Sequence, residues 1–171
     1  MTMTTLIAAM AAASMATQAT ATQQQWTEQA EYLDRVVEWE CGATPQGGDY
    51  EPVRAVMNII RTGQTVEIYE VTKLTMLNGK NYVARIKYDA DLKMNTDGQV
   101  YMETTSTETV SLDQLPDNFS WGDTNSTTMM LMMFPSKFGE NRYELKGWSK
   151  SPGVIMDVAC ATSGLRQVAP E

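Results

Sequence analysis

The sequence predicts an α+β domain in which one or two N-terminal helices pack on a curved antiparallel sheet of five to six strands arranged as a meander. Three observations predict it. From Tyr82 to Met94 every second residue is apolar and the residues between are charged apart from Val83, the period of a strand with one dry face. Ahead of residue 63, apolar residues recur instead at spacings of three and four, the period of a helix. The later apolar runs are joined by short turns with no helical stretch between them, so successive strands must pair antiparallel.

The first residues hold no charged side chain and an apolar run from Leu6 to Ala16, followed by Ala19-Thr20-Ala21 as a cleavage signal. This pattern predicts a signal peptide over 1–21, although it departs from the usual leader in having only the α-amino group, and no Lys or Arg, as its positive charge. A single α+β domain is expected over 22–163 and a frayed tail over 164–171. The apolar run is shorter than the ~18 residues of a membrane-spanning helix, so no membrane span is expected and the localisation reads as secreted or periplasmic.

Trp26, Ala30, Leu33, Val37 and Cys41 form one helical stripe, with Thr22 and Gln25 as a capping box and Gly42 as the stop. A second helix is predicted from Asp49 as N-cap through Pro52 to Gly63, its buried stripe being Val53, Val56, Met57 and Ile60. The period then changes to two. Val66 and Ile68 share one face while Val71 takes the other, which predicts a β-bulge near Tyr69 and Glu70. Asn78-Gly79 signals a tight hairpin into the Tyr82–Met94 strand, about 40 Å long at the rise of an extended chain. Asn95-Thr96-Asp97-Gly98 turns the chain into a strand that points Val100, Met102, Val110 and Leu112 inward, with polar Thr104 and Ser106 on the same parity. Residues 113–125 read as a surface loop, and strands near 126–134, 142–149 and 154–160 complete the meander.

The order of these elements, with Asn78-Gly79-Lys80-Asn81-Tyr82-Val83 and Lys146-Gly147-Trp148, resembles small exported bacterial proteins with a cystatin-like or NTF2-like curved sheet, a group without an assigned function. The resemblance implies a curved sheet wrapped around a helix; folds of this kind host many functions. It does not imply protease inhibition, because Gln64-Thr65-Val66-Glu67-Ile68 lacks the glycine of the cystatin inhibitory hairpin.

Composition narrows the chemistry. The 171 residues contain no histidine, which excludes Ser-His-Asp and Cys-His nucleophilic systems and His-ligated zinc. The net charge of −8 excludes a phosphate-neutralising nucleic-acid surface. Asp89, Asp91, Glu67, Glu70 and Glu103 could supply a carboxylate pair for hydrolysis, but alternating charges on the wet face of a sheet explain them more simply. No catalytic residue, metal or cofactor is therefore assigned. Cys41 and Cys160, an even pair in an exported chain, predict one disulfide; two buried thiols are the alternative.

Met129, Met130, Met132 and Met133 make a strand apolar on both faces, read as core, as a soft Cu(I) site or as a covered interface. The loop carboxylates Asp113, Asp117 and Asp123 lack calcium-loop spacing. Phe119 and Trp121 in that loop are contact candidates. The expected role is an exported, non-enzymatic binding or accessory protein acting through protein contacts. The alternative is a carrier of a small apolar ligand; a carboxylate-only hydrolase ranks below both. The expected ligand or partner surface comprises Tyr82, Tyr88, Met102, Phe119, Trp121, Met129, Met130, Met132 and Met133.

Overall fold

The computed structural model describes residues 20–46, 53–75, 81–113, 127–151 and 154–165. One helix, α1 (20–35), leads into eight strands: β1 Val36–Pro45, β2 Val53–Thr62, β3 Thr65–Thr75, β4 Asn81–Met94, β5 Val100–Asp113, β6 Thr128–Pro135, β7 Tyr143–Ser151 and β8 Val154–Leu165. Each strand pairs antiparallel with the next, and β8 pairs antiparallel with β1, so the sheet closes into an up-and-down barrel. The fold therefore differs from helices packed on an open sheet of five to six strands. Closure removes both sheet edges, which an open sheet would have to protect some other way.

The two N-terminal helices are the largest correction. The second is absent: Val53–Thr62 is β2, with Ala55, Met57 and Ile59 turned into the barrel and Ile60 exposed. This segment carries both periods. Val53, Val56, Ile59 and Ile60 are β-branched, and continuous pairing to β1 and β3 supplies hydrogen bonds that decide between them. The first helix stops at residue 35, and Val37 and Cys41 belong to β1 rather than to a helical stripe. Trp39 and Cys41 alternate inward there while Val37 is exposed.

The bulge expected on β3 is also absent. β3 runs in unbroken register against β2 and β4, which keeps Glu70 and Thr72 on the inward parity of Val66 and Ile68. Register shifts occur instead at the start of β1 against β8, between Val36 and Trp39, and on β5, where the register against β4 skips Thr105 and Val110. Parity flips after the first skip, so Ser106 turns outward to hydrogen-bond Asp89 at 2.6 Å and Thr107 lies opposite the inward Tyr88. The side chains of Val110 and Leu112 fall outside the described residues, as does the Asn78-Gly79 turn, although β3 and β4 pair as a hairpin would require.

The long β4 strand keeps the period read from sequence. Ala84, Ile86, Tyr88, Ala90 and Leu92 are buried and the charged residues face outward. Lys87 pairs with Glu67 at 2.7 Å, and Lys93 with Glu103 at 2.6 Å, across neighbouring strands. An apolar interior with ion pairs on the outer wall is the reverse of a barrel that faces lipid. Among the described residues no helix is long and apolar enough to cross a membrane.

α1 closes one end of the barrel. Gln29 is buried there; its amide donates to the Gly98 carbonyl and its Oε1 accepts from the Val100 backbone N–H, each at 2.9 Å. Asp34 is bridged by Arg61 near the β2–β3 turn, and the Tyr143 hydroxyl donates to Glu28 at 3.1 Å. The disulfide joins Cys41 of β1 to Cys160 of β8, which stand directly opposite with Cα atoms 4.0 Å apart. The bridge therefore lies across the seam where the first and last strands meet.

Candidate functional site in the barrel lumen

Side-chain size changes along the barrel axis. Near α1 the inward positions are large: Trp39, Ile68, Leu92, Met102, Leu131, Met133 and Leu145 are almost fully buried and fill the base. Toward the other end they shrink to Ala43, Ala55, Thr72, Ala84, Thr127, Ser149 and Ser151. An eight-strand barrel is just wide enough for its side chains to fill it or to leave room for one small ligand. Here the base is filled and the mouth is not. The result is a cavity of about 50 Å³, room for a few waters. Met57, Ile86, Met129, Met156 and Val158 supply most of its apolar wall.

One ionisable group enters this space with a defined set of partners. Glu70 stands opposite Met57 on β2 and Ile86 on β4. Its Oε1 accepts a hydrogen bond from the Thr72 hydroxyl and its Oε2 accepts one from the Tyr88 hydroxyl at 2.8 Å. Burial raises the Glu70 carboxyl above the usual carboxylate range, while the two hydrogen bonds pull it back. The same burial, with the carboxylate alongside, raises the Tyr88 hydroxyl, so it stays protonated and remains a donor. A second polar pair, Thr127 and Ser151, shares a hydrogen bond of 2.8 Å at the mouth.

The β5–β6 seam loosens beside this mouth. Backbone pairing covers Tyr101 to Glu103 against Met130 to Met132, and hydroxyls then take over. Thr104 Oγ1 donates to the Met129 carbonyl at 3.2 Å and accepts from its N–H at 2.8 Å; Thr107 Oγ1 donates to the Thr127 carbonyl at 2.5 Å. Of the polar middle read as lying past the core or against a cavity, Thr104 thus bridges β5 to β6, joined by Thr107, whereas Ser106 turns outward to Asp89.

The residues expected to form one surface are separated. Tyr88 and Met129 line the cavity. Met102 and Met133 are core at the base. Met130 and Met132 lie on the outer wall, partly exposed, with Trp148 opposite Met130. Adjacent methionines of β6 point to opposite sides of the wall, so the four do not converge. The side chain of Tyr82, and Phe119 and Trp121 entirely, lie outside the described residues, as does most of the 113–125 loop.

The sequence reading weighed Glu70 as a carboxylate but missed its place in the lumen, and missed Thr72 altogether. The signal was present as parity, since both follow Val66 and Ile68 at spacing two, but a bulge near Tyr69 and Glu70 would have broken that parity. Of the carboxylates weighed as a pair, Glu67, Asp89 and Glu103 sit on the outer wall in ion pairs with Lys87 or Lys93. Glu70 alone among them lines the cavity. Comparison with family models, with curated proteins and with solved structures found no match.

Proposed function

We propose that this chain is an exported, non-enzymatic binding protein that carries a small, mainly apolar molecule in the lumen of its barrel. The observation that supports the reading is the graded lumen: a filled base, small residues at the mouth and one hydrogen-bonded carboxyl between apolar walls. Small-molecule sites combine such walls with a few placed polar groups. Only one carboxyl lines the cavity, so the two-carboxylate hydrolysis chemistry has no second partner among the described residues. The Cys41–Cys160 bridge supports export, because disulfides persist in oxidising compartments.

The protein-contact alternative rests on Met130, Met132, Phe134 and Trp148, which share the outer face of β6 and β7. Lys146 and Glu144 interrupt that face with an ion pair of 2.9 Å, and its apolar side chains are part-buried. The lumen is the more specific feature.

The carrier reading predicts that 1-butanol, a slim neutral probe, shifts the methyl resonances of Met57, Met129 and Met156 saturably. Met129 and Met156 are flexible side chains that can reshape the wall around it. Ala84→Leu, which adds bulk to the lumen wall, should abolish the shifts while leaving the fold intact by circular dichroism. Spectra that do not respond to butanol would overturn the reading.

A further inference from the structure

We propose that the lumen selects a ligand with an ammonium head group, a small primary alkylamine, and that Glu70 is its counter-ion; this rests on the carrier reading above. The argument starts from the unused capacity of the carboxyl. A carboxylate offers about four lone-pair directions, and Thr72 and Tyr88 occupy one on each oxygen. Both partners are donors, the arrangement that suits an ionised acceptor. No Lys or Arg stands among the described residues that line the cavity, so nothing there neutralises the charge. Glu70 is half-buried; a carboxylate partly withdrawn from water without a counter-charge is destabilised, and a ligand that brings the opposite charge relieves that.

The remaining geometry sets the rest of the molecule. Thr127, Ser149 and Ser151 can accept from an ammonium, or donate to and accept from its escorting water, at the mouth, whereas Met57, Ile86 and Met129 contact only an alkyl body. The free space of about 50 Å³ limits that body to a short, unbranched chain unless the methionines move. A fatty acid of equal length is disfavoured, since its carboxylate would meet Glu70. The net charge of −8 also draws cations toward the protein and repels anions.

Calorimetric titration of the oxidised full chain at neutral pH with three probes of one length, n-butylamine, 1-butanol and butyrate, tests this. Charge-assisted pairing predicts that the amine binds at least about ten-fold more tightly than the alcohol, with butyrate weakest. Glu70→Gln keeps an amide oxygen as acceptor but removes the charge, so amine affinity should fall by at least about ten-fold, toward the alcohol's. Equal affinity of amine and alcohol in the natural protein would overturn the ammonium proposal and leave the carrier reading standing. No binding of any probe would remove both. Should Glu70→Gln fail to fold, the natural protein still decides. Amine affinity must weaken on acidification through the titration of Glu70 while alcohol affinity holds, and parallel pH profiles would overturn the proposal.

Discussion

Glu70 sits where a strand facing an apolar interior would ordinarily place valine or isoleucine, and desolvation there penalises its charged form. Because burial raises its carboxyl in the folded state, the folded chain holds that proton more tightly than the unfolded chain. The contribution to stability is therefore fully present below the ordinary carboxylate range and is lost as pH rises through the raised folded value. Glu70→Gln should gain stability relative to the natural protein as pH climbs through that window, read as the difference in urea midpoints. Midpoint differences that stay constant with pH would contradict the assignment. Asp89 and Glu144 are lowered by hydrogen bonds and by Lys87 and Lys146, so they bias the natural curve the opposite way and must be cancelled by this comparison. A second residue acts through its missing side chain. Gly147 faces Leu131 in the β6–β7 ladder, and a Cβ there would collide with the Met130 carbonyl oxygen. Gly147→Ala should cost roughly 1–3 kcal/mol, because the obstacle is backbone and cannot rotate away. An unchanged thermal midpoint would show that β6 can shift to admit it.

At the scale of elements, α1 is a stopper whose attachment is polar as well as apolar. Trp26, Ala30 and Leu33 were legible as its packed face, and all three pack in or against the core. Gln29 was not, because a glutamine on a helix ordinarily reads as solvent-facing. Its two bonds satisfy the Gly98 carbonyl and the Val100 N–H at the β4–β5 turn. Gln29→Ala strands both backbone groups in a buried place, a loss of about 2 kcal/mol. Hydrogen exchange should then accelerate first at Val100. If protection there is unchanged, water has replaced the side chain. The turn itself was readable: Asn95 Oδ1 accepts from the Asp97 and Gln99 backbone N–H groups, and Gly98 adopts a φ of 79° that favours glycine.

For the whole molecule, closure of the barrel is both a topological and a covalent event. β1 and β8 are as far apart in sequence as any two strands here, and the seam between them is the last that short-range folding can form. The Cys41–Cys160 bridge spans a sequence separation of 119 residues. On the chain-entropy account a loop of that length stabilises the fold by up to about 5 kcal/mol. Reduction, or the double change Cys41→Ala with Cys160→Ala, should lower the urea midpoint accordingly. Thiol titration in denaturant should find no reactive thiol before reduction and two after it. Thiols reactive before reduction would show that the seam is held by hydrogen bonds alone.

What the order of residues determined is local: the alternation of β4, the inward stripe at Trp26, Ala30 and Leu33, the turn at Asn95, and a cysteine pair fit to bridge. These follow from periodicity and from the geometry of single residues, which neighbours along the chain are enough to specify. The pairing of β1 with β8, the strand state of Val53–Thr62 and the placing of Glu70 in the lumen were decided by contacts between distant segments. Val53–Thr62 carries both a helical and a strand period, and β1 and β3 on either side select the second. Glu70 points inward because unbroken pairing of β3 with two neighbours outweighs the cost of burying a carboxyl that Thr72 and Tyr88 can satisfy.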